Sequence, residues 1–567
     1  MIDALPIRLG AALLLLASAV LGDTWTVDSS APCPGQGTAV APFCRIQLAI
    51  DAAADGDTVR VSPGTYLENI DFLGKAIRVF ASADATQTIL DGQQAGSCVV
   101  FRNGEGSAAS LEGFTIRNGS APAGGGILIE NASPVILGNI IVLNRGFDGA
   151  GVAVLGGKPL IDGNRIEDNW AISGVGGGLL LNGDATARDN VIRANRASGF
   201  SAGGGVACQS GSPTIEGNVL EGNRAAAGAG IFIDGAGGVV LRNDIRGNIA
   251  DSEGGGLFLG DTQASVVLNR IHGNRAARGA GVNCGLQCRS VLTSNLIARN
   301  GDGATSQGGG VRCSASSNPA LVNCTFFGNV ATHGGGLWNS GTTVVANSIL
   351  WADTGELVTV GGTLTVGASI IQGGWPGVGN LSSDPRFLAP PRDDFRLSCD
   401  SPAIDAGIQS PLLSPVDLEG DLRVVDGDSD GNAAVDLGAD ELDFLWFPEG
   451  PLQVGAPIAF RAMAPPVHQG QAALLFLSLG DGTVSGGVPL PGGFTLELDP
   501  DGLFQYTQSW PAPLRSAPIT PCPGTVTQPV TIPPSAPIGL RVFYAGALLG
   551  PGPSIVTVTP TQSFTLR

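Results

Sequence analysis

The chain has 567 residues, a formal charge of −19, only 14% charged residues, and glycine at 87 positions, about twice ordinary usage. No basic cluster offsets the acidic balance, which argues against a nucleic-acid partner. Apolar residues come in short runs broken by Gly and Asn, the pattern of many short buried strands with tight turns and not of membrane spans.

Arg8, the apolar run Leu9–Leu21 and the small residues Ala17-Ser18-Ala19 predict a cleaved secretory leader over residues 1–22. The mature chain is thus expected outside the cell or on its surface, with no integral membrane segment after cleavage. Ten cysteines on an exported chain make disulfides available. Residues 44–54 (CRIQLAIDAAA) read as an amphipathic helix capping the N-terminal end, with Cys33 and Cys44 expected to tie the cap down.

A repeat follows. Gly-rich triplets begin at Gly124, Gly149, Gly176, Gly203, Gly228, Gly254, Gly279, Gly308 and Gly334, spaced 25 to 29 residues apart. Between them lies Asn-x-x-x-x-Asn, from Asn139/Asn144 to Asn295/Asn300, with Cys324 and Asn329 in the next repeat. The strand after each triplet alternates with its first and third residues apolar, as in Ile231/Ile233 and Leu257/Leu259. One such unit cannot bury a face alone, so the units must stack with parallel pairing. The fold class is all-β: a right-handed parallel β-helix over residues 23–382 with a helical cap. The repeated Asn predicts side-chain ladders, and the triplets supply backbone conformations that a Cβ forbids.

The same register sorts the tempting polar residues. Glu167, Arg193, Glu221, Arg246 and His272 share one outward column of alternating sign, a surface ladder and not a catalytic set. Arg145, Arg196, Arg224 and Arg275 each follow the second Asn and are equally repetitive. Function is expected where the repeat breaks. Phe232, Phe258, Asn283, Arg312 and Trp338 line one outward strip after the triplets, an aromatic and polar platform on which sugar rings could stack. Cys284 and Cys313 occupy equivalent inward positions in adjacent coils and are disulfide candidates, with Cys284–Cys288 a competing local pair.

Residues 383–445 read as a closing module. Within it Asp426, Asp428 and Asp430 before Gly431 match the first half of a calcium loop, but the twelfth position is Leu437, where a Glu is expected; Asp436 is the candidate replacement. A structural calcium ion is the expected cofactor. Residues 446–567, rich in Pro and Gly with short alternating runs, predict a small C-terminal β-sandwich.

Two stretches carry a resemblance. Ile46-Gln47 through Glu68, with GDTVRVSPGTYLE, resembles the N-terminal cap and first coil of pectin-lyase-like β-helix proteins. SDPRFLAP, SPAIDAG, DLEGDLRVVDG and VDLGADE resemble the choice-of-anchor-type closing module of secreted bacterial β-helix repeat proteins. The resemblance implies fold and export and says little of chemistry. Enzymes of that fold act on acidic polysaccharides as lyases or glycoside hydrolases, which need clustered cations or paired carboxylates. No carboxylate or Lys/Arg cluster that breaks the repeat is evident, so the reading favours a non-catalytic adhesion or glycan-binding protein, with a polysaccharide lyase or hydrolase as the alternative.

Overall fold

The computed structural model describes residues 22–442, apart from 200, 399 and 426–431, and beyond them the backbone of strands between 445 and 565. Residues 1–21 of the expected leader (1–22) lie outside the described residues.

Each repeat makes one coil of a parallel β-helix. In a representative coil Ile231–Asp234 belongs to sheet I, Val239–Leu241 to sheet II, Asp244–Arg246 to sheet III and Ile249–Glu253 to a shorter sheet IV. The four sheets hold 12, 14, 13 and 6 strands, and neighbouring coils pair in parallel. Register is strict: Ile231 sits on Leu257, Val240 on Val266 and Ile245 on Ile271. The inward residues form one continuous core from Val27 to Ile371. At the N-terminal end Ile46–Ala52 forms the expected helix and buries Ile46, Ala49 and Ile50 over the first coil. Its first N–H groups donate to the buried Glu68 carboxylate at 2.7 and 3.2 Å.

The corners explain the Asn signature. A residue with left-handed backbone stands just before each ladder Asn, Arg242 (φ +52°) before Asn243 and Gly247 (φ +61°) before Asn248. The chain turns there, and the Asn side chain satisfies the groups the turn exposes. Asn223 is representative. Its Nδ2 donates to Ile192 O at 2.9 Å and to Asn248 Oδ1 at 3.0 Å, while its Oδ1 accepts from the backbone N and Nδ2 of Asn195. One ladder runs from Asn139 to Asn295 and the other from Asn144 to Asn329. The third glycine of each triplet makes room for them: a Cβ on Gly256 would lie 2.5 Å from Gly281 O and 3.1 Å from Asn274 Nδ2.

The second ladder ends on Asp353, which accepts from the backbone N (2.6 Å) and Nδ2 (2.9 Å) of Asn329 through one oxygen. Its other oxygen is buried and has no partner among the described residues. Burial holds this carboxyl well above its ordinary range, with the Asn329 hydrogen bonds pulling the other way.

After the last coil, at Ile370–Ile371, the closing module begins with an antiparallel hairpin, Phe387–Ala389 and Asp394–Leu397. It folds back along the outer face of sheet III. Leu397, Ala403 and Leu437 pack on Ile349 and Ile370, and Phe395 packs on Leu296 and Ala298. In earlier coils those outward positions carry charge, as in Arg165/Glu167 and Asp244/Arg246; under the module they become Leu296/Ala298 and Ile349/Trp351. Beyond it the strands pair antiparallel, Pro457–Met463 with both Leu445–Glu449 and Val526–Thr531, and Ala472–Ser478 with Arg541–Leu549.

Cys33 and Cys44 form a disulfide with Cα atoms 5.2 Å apart. The other cysteine candidates need correction. Cys284 and Cys313 are register partners as anticipated, yet Cys284, Cys288 and Cys313 are all buried thiols. Cys284 lies within hydrogen-bonding reach of both others; those contacts and burial hold it in the thiol form. Side chains at one register position of parallel strands run alongside each other, which lets sulfurs stack without the cross-strand approach of their Cβ atoms that a disulfide needs.

Two outcomes test the ladder. Asn223→Ala orphans several buried groups and is expected to cost about 3 kcal/mol in denaturant unfolding, while Arg224→Ala, one exposed place along, stays within about 0.5 kcal/mol. Asp353→Asn probes the ladder's end. Because the folded pKa of Asp353 lies above its unfolded value near 4, its contribution to stability is full at acid pH and lost as pH rises. The variant should therefore gain melting temperature over wild type by more at pH 8 than at pH 5; an equal difference at both would refute this account.

Candidate functional site

The first glycine of each triplet adopts left-handed backbone, as at Gly254 (φ +66°), and turns the chain from sheet IV into sheet I. This makes a concave corner. On it meet the residue just before the triplet and the second residue of the sheet I strand; within one coil Arg312 Nε donates to Gln307 Oε1 at 3.1 Å. Over the coils begun by Gly149 to Gly228 the corner is mostly small or apolar: Asp148, Val175, Ala202 and Ala227 face Ala153, Leu180, Ala207 and Phe232. Over the next four coils it becomes Glu253, Arg278, Gln307 and His333 facing Phe258, Asn283, Arg312 and Trp338.

These side chains form one network. Arg278 pairs with Glu253 at 2.8 Å, and Arg312 donates to Asn283 Oδ1 at 2.9 Å. Asn283 Nδ2 reaches Glu253 at 3.4 Å, and Arg312 lies 3.7 Å from the same carboxylate. The Arg312 guanidinium stands over the Trp338 ring at 5.3 Å, and Phe232 stacks on Phe258 with centroids 4.9 Å apart. Bridges join Glu253 to Arg278, Arg278 to Gln307, and Gln307 to His333, so the pre-triplet residues form a column of their own.

The five strip residues read from the sequence do stand in one column, Phe232 on Phe258, Phe258 on Asn283, Asn283 on Arg312 and Arg312 on Trp338. The open aromatic platform is corrected, however. Asn283 is fully buried, and Phe232 and Trp338 are each 9% exposed, Phe232 stacked on Phe258 and Trp338 against the Arg312 guanidinium. What solvent meets is a polar trough: an exposed His333 and the half-buried Arg278, Gln307, Glu253 and Phe258, with Arg312 below. Burial pulls the Arg312 guanidinium below its ordinary range; Glu253 opposes that shift and Arg278 adds to it. Among the described residues the closing module covers sheet III and leaves this corner uncovered. Glu253, Arg278, Gln307 and His333 escaped the sequence reading, although the change from Ala227 to Glu253 at one register position was there to find.

Elsewhere the outward column pairs as a surface ladder. Arg193 meets Glu167 at 2.6 Å, Arg246 meets Glu221 at 3.3 Å, and His272 Nε2 lies 2.9 Å from Asp244 Oδ1. Arg145 and Arg196 both flank the Trp170 ring, at 5.5 and 5.8 Å. Beside that ring a second concavity of about 270 Å³ is lined by Gln94, Asn118, Leu143, Arg145 and Asp168.

Of the calcium candidates, Asp426, Asp428 and Asp430 lie outside the described residues. Asp436 is buried, and its oxygens accept the backbone N–H groups of Asp405 and Leu442 at 2.7 and 2.8 Å.

Residues 86–245 and 227–350 match the family model described as right handed beta helix region, in agreement with the fold. No curated protein gives a significant sequence match. Solved structures similar to this one include pectate lyase Pel9A, 13% identical, with 74% of this chain aligned to 96% of that one and a TM-score of 0.35. Another is XylC in complex with xylose, 11% identical, 64% of this chain to 87% of that one, TM-score 0.39. A rhamnogalacturonan lyase is 12% identical, 71% to 96%, TM-score 0.24.

Proposed function

We propose that this protein acts outside the cell as a non-catalytic binder of acidic polysaccharide, which it holds along the trough between sheets IV and I. The observation that supports this reading is the entry of polar side chains into two facing columns over four consecutive coils, Glu253, Arg278, Gln307 and His333 in one, and Asn283 and Arg312 between Phe258 and Trp338 in the other. Burying Arg312, Asn283 and part of Glu253 where the neighbouring coils bury Leu and Ala costs stability, and nothing in the stacking of the coils demands it. Two guanidinium groups against one carboxylate leave local positive charge on a chain of net −19, which suits uronate carboxylates. Coils a strand spacing apart repeat the donors along a line, as an extended polymer requires.

Binding of polygalacturonate and of a neutral glucan by the full mature chain, followed by calorimetry, tests this. Polygalacturonate should bind, more weakly as salt rises, and Arg278→Ala should weaken it about tenfold or more, in the range of a lost charged hydrogen bond. Binding unaffected by Arg278→Ala but abolished by Trp170→Ala would move the site to the second concavity and refute the trough. Release of unsaturated or reducing-end products would make the protein an enzyme.

A further inference from the structure

The closing module holds a cluster of carboxylates that neither its packing nor the trough explains. One oxygen each of Asp417, Glu419 and Asp440 lies within 4.8 Å of the others. All three side chains are removed from solvent: Asp417 and Asp440 are 1% and 5% exposed, and the Glu419 side chain 9%. Much of their hydrogen bonding serves the backbone that holds them. Asp417 Oδ1 caps a tight turn, accepting from the N–H groups of Glu419, Gly420 and Asp421 at 2.8 to 3.0 Å, while its Oδ2 accepts from Glu441 N at 2.9 Å. Asp440 Oδ2 accepts from Leu397 N at 2.7 Å, and Glu419 Oε1 pairs with Arg270 of the rod at 2.7 Å.

Two oxygens are left over. Asp440 Oδ1 and Glu419 Oε2 are both buried and accept nothing among the described residues. The buried Arg423 guanidinium donates to Glu441 at 3.3 Å, Ser294 Oγ at 2.9 Å and the carbonyls of Gly438 and Asp440, and the nearby Arg396 pairs with Asp394 at 2.8 Å. Three carboxylates crowded in this way call for either protons or a cation.

The geometry points to a divalent-cation site formed by Asp417, Glu419 and Asp440, with calcium as the ion it suits. All the donors are hard oxygens, and ligands placed 2.3–2.6 Å from one calcium ion lie at most about 5 Å apart, the spread found here. Loop capping at Asp417 and the hydrogen bond to Leu397 already fix two of the three carboxylates, so little remains to be ordered on binding. The ion would join the 417–421 turn to the chain at 440 and, through the Arg270–Glu419 pair, hold the module against the rod. This site differs from the Asp426–Asp430 loop suggested by the sequence motif and does not depend on the glycan trough.

The test uses the full mature chain stripped with EDTA, incubated with calcium chloride, desalted and assayed for retained calcium by mass spectrometry, with melting temperature in parallel. One retained calcium per chain and a calcium-dependent rise in melting temperature are expected. Glu419→Gln and Asp440→Asn should lose both, and Asp428→Asn should keep both. Glu419→Gln carries the comparison alone if Asp440→Asn fails to fold. Absence of retained calcium in the wild type, retention unchanged in both cluster variants, or a loss confined to Asp428→Asn would each overturn the assignment.

Discussion

Everything in this molecule answers to the demand that each coil sit in register on the one before it. The two Asn ladders enforce that demand. A ladder amide donates to the next coil and both donates to and accepts from the previous one, so it cannot shift without orphaning groups on both sides. The third glycine of each triplet follows from the same demand, since a side chain there would strike the carbonyl of the coil above. Register also turns the sequence into columns, in which opposite charges a strand spacing apart stabilise each other. The alternation of Glu167, Arg193, Glu221 and Arg246 is the electrostatic consequence.

Departures from the repeat then carry information. On sheet III the outward column gives up charge for Leu296, Ala298, Phe327 and Ile349 because the closing module lies there, and the apolar residues are its footing. At the corner of sheets IV and I the change runs the other way, with Glu253, Arg278, Asn283 and Arg312 entering positions that neighbouring coils fill with small or apolar groups. One departure lowers the free energy of folding and needs no further account. The other raises it and underlies the proposed glycan trough.

The strands, the coil register, both ladders and the helical cap were legible because each rests on local periodicity repeated many times. Burial at the trough was not. It depends on how two columns on either side of a glycine corner, five residues apart in each coil, converge there, and the alternation of a single strand marks Trp338 and Asn283 only as outward. Nor could the sequence show Glu419 beside Arg270, 149 residues away, or Asp440 beside Asp417. A tight turn brings the carboxylates together there, and the motif that looked most like a metal loop drew attention to its neighbours.

The closing module has a mechanical consequence. A stack of coils held by nearest-neighbour pairing is weakest at its end, where a pull peels off one coil at a time. In this chain tension arriving through the residues beyond 442 enters elsewhere. Ala439 N donates to Thr325 Oγ1 at 2.8 Å and Gly438 N to Asn347 O at 2.8 Å, so the load reaches the rod at coils that precede the terminal one at Ile370. The load is shared with earlier coils, and the module, which also packs on Ile370, must shear along the last coils of sheet III before the terminal one can be unwound. A rod tethered by its C-terminal end would thus resist tension through a broad lateral seam and not through its last rung alone.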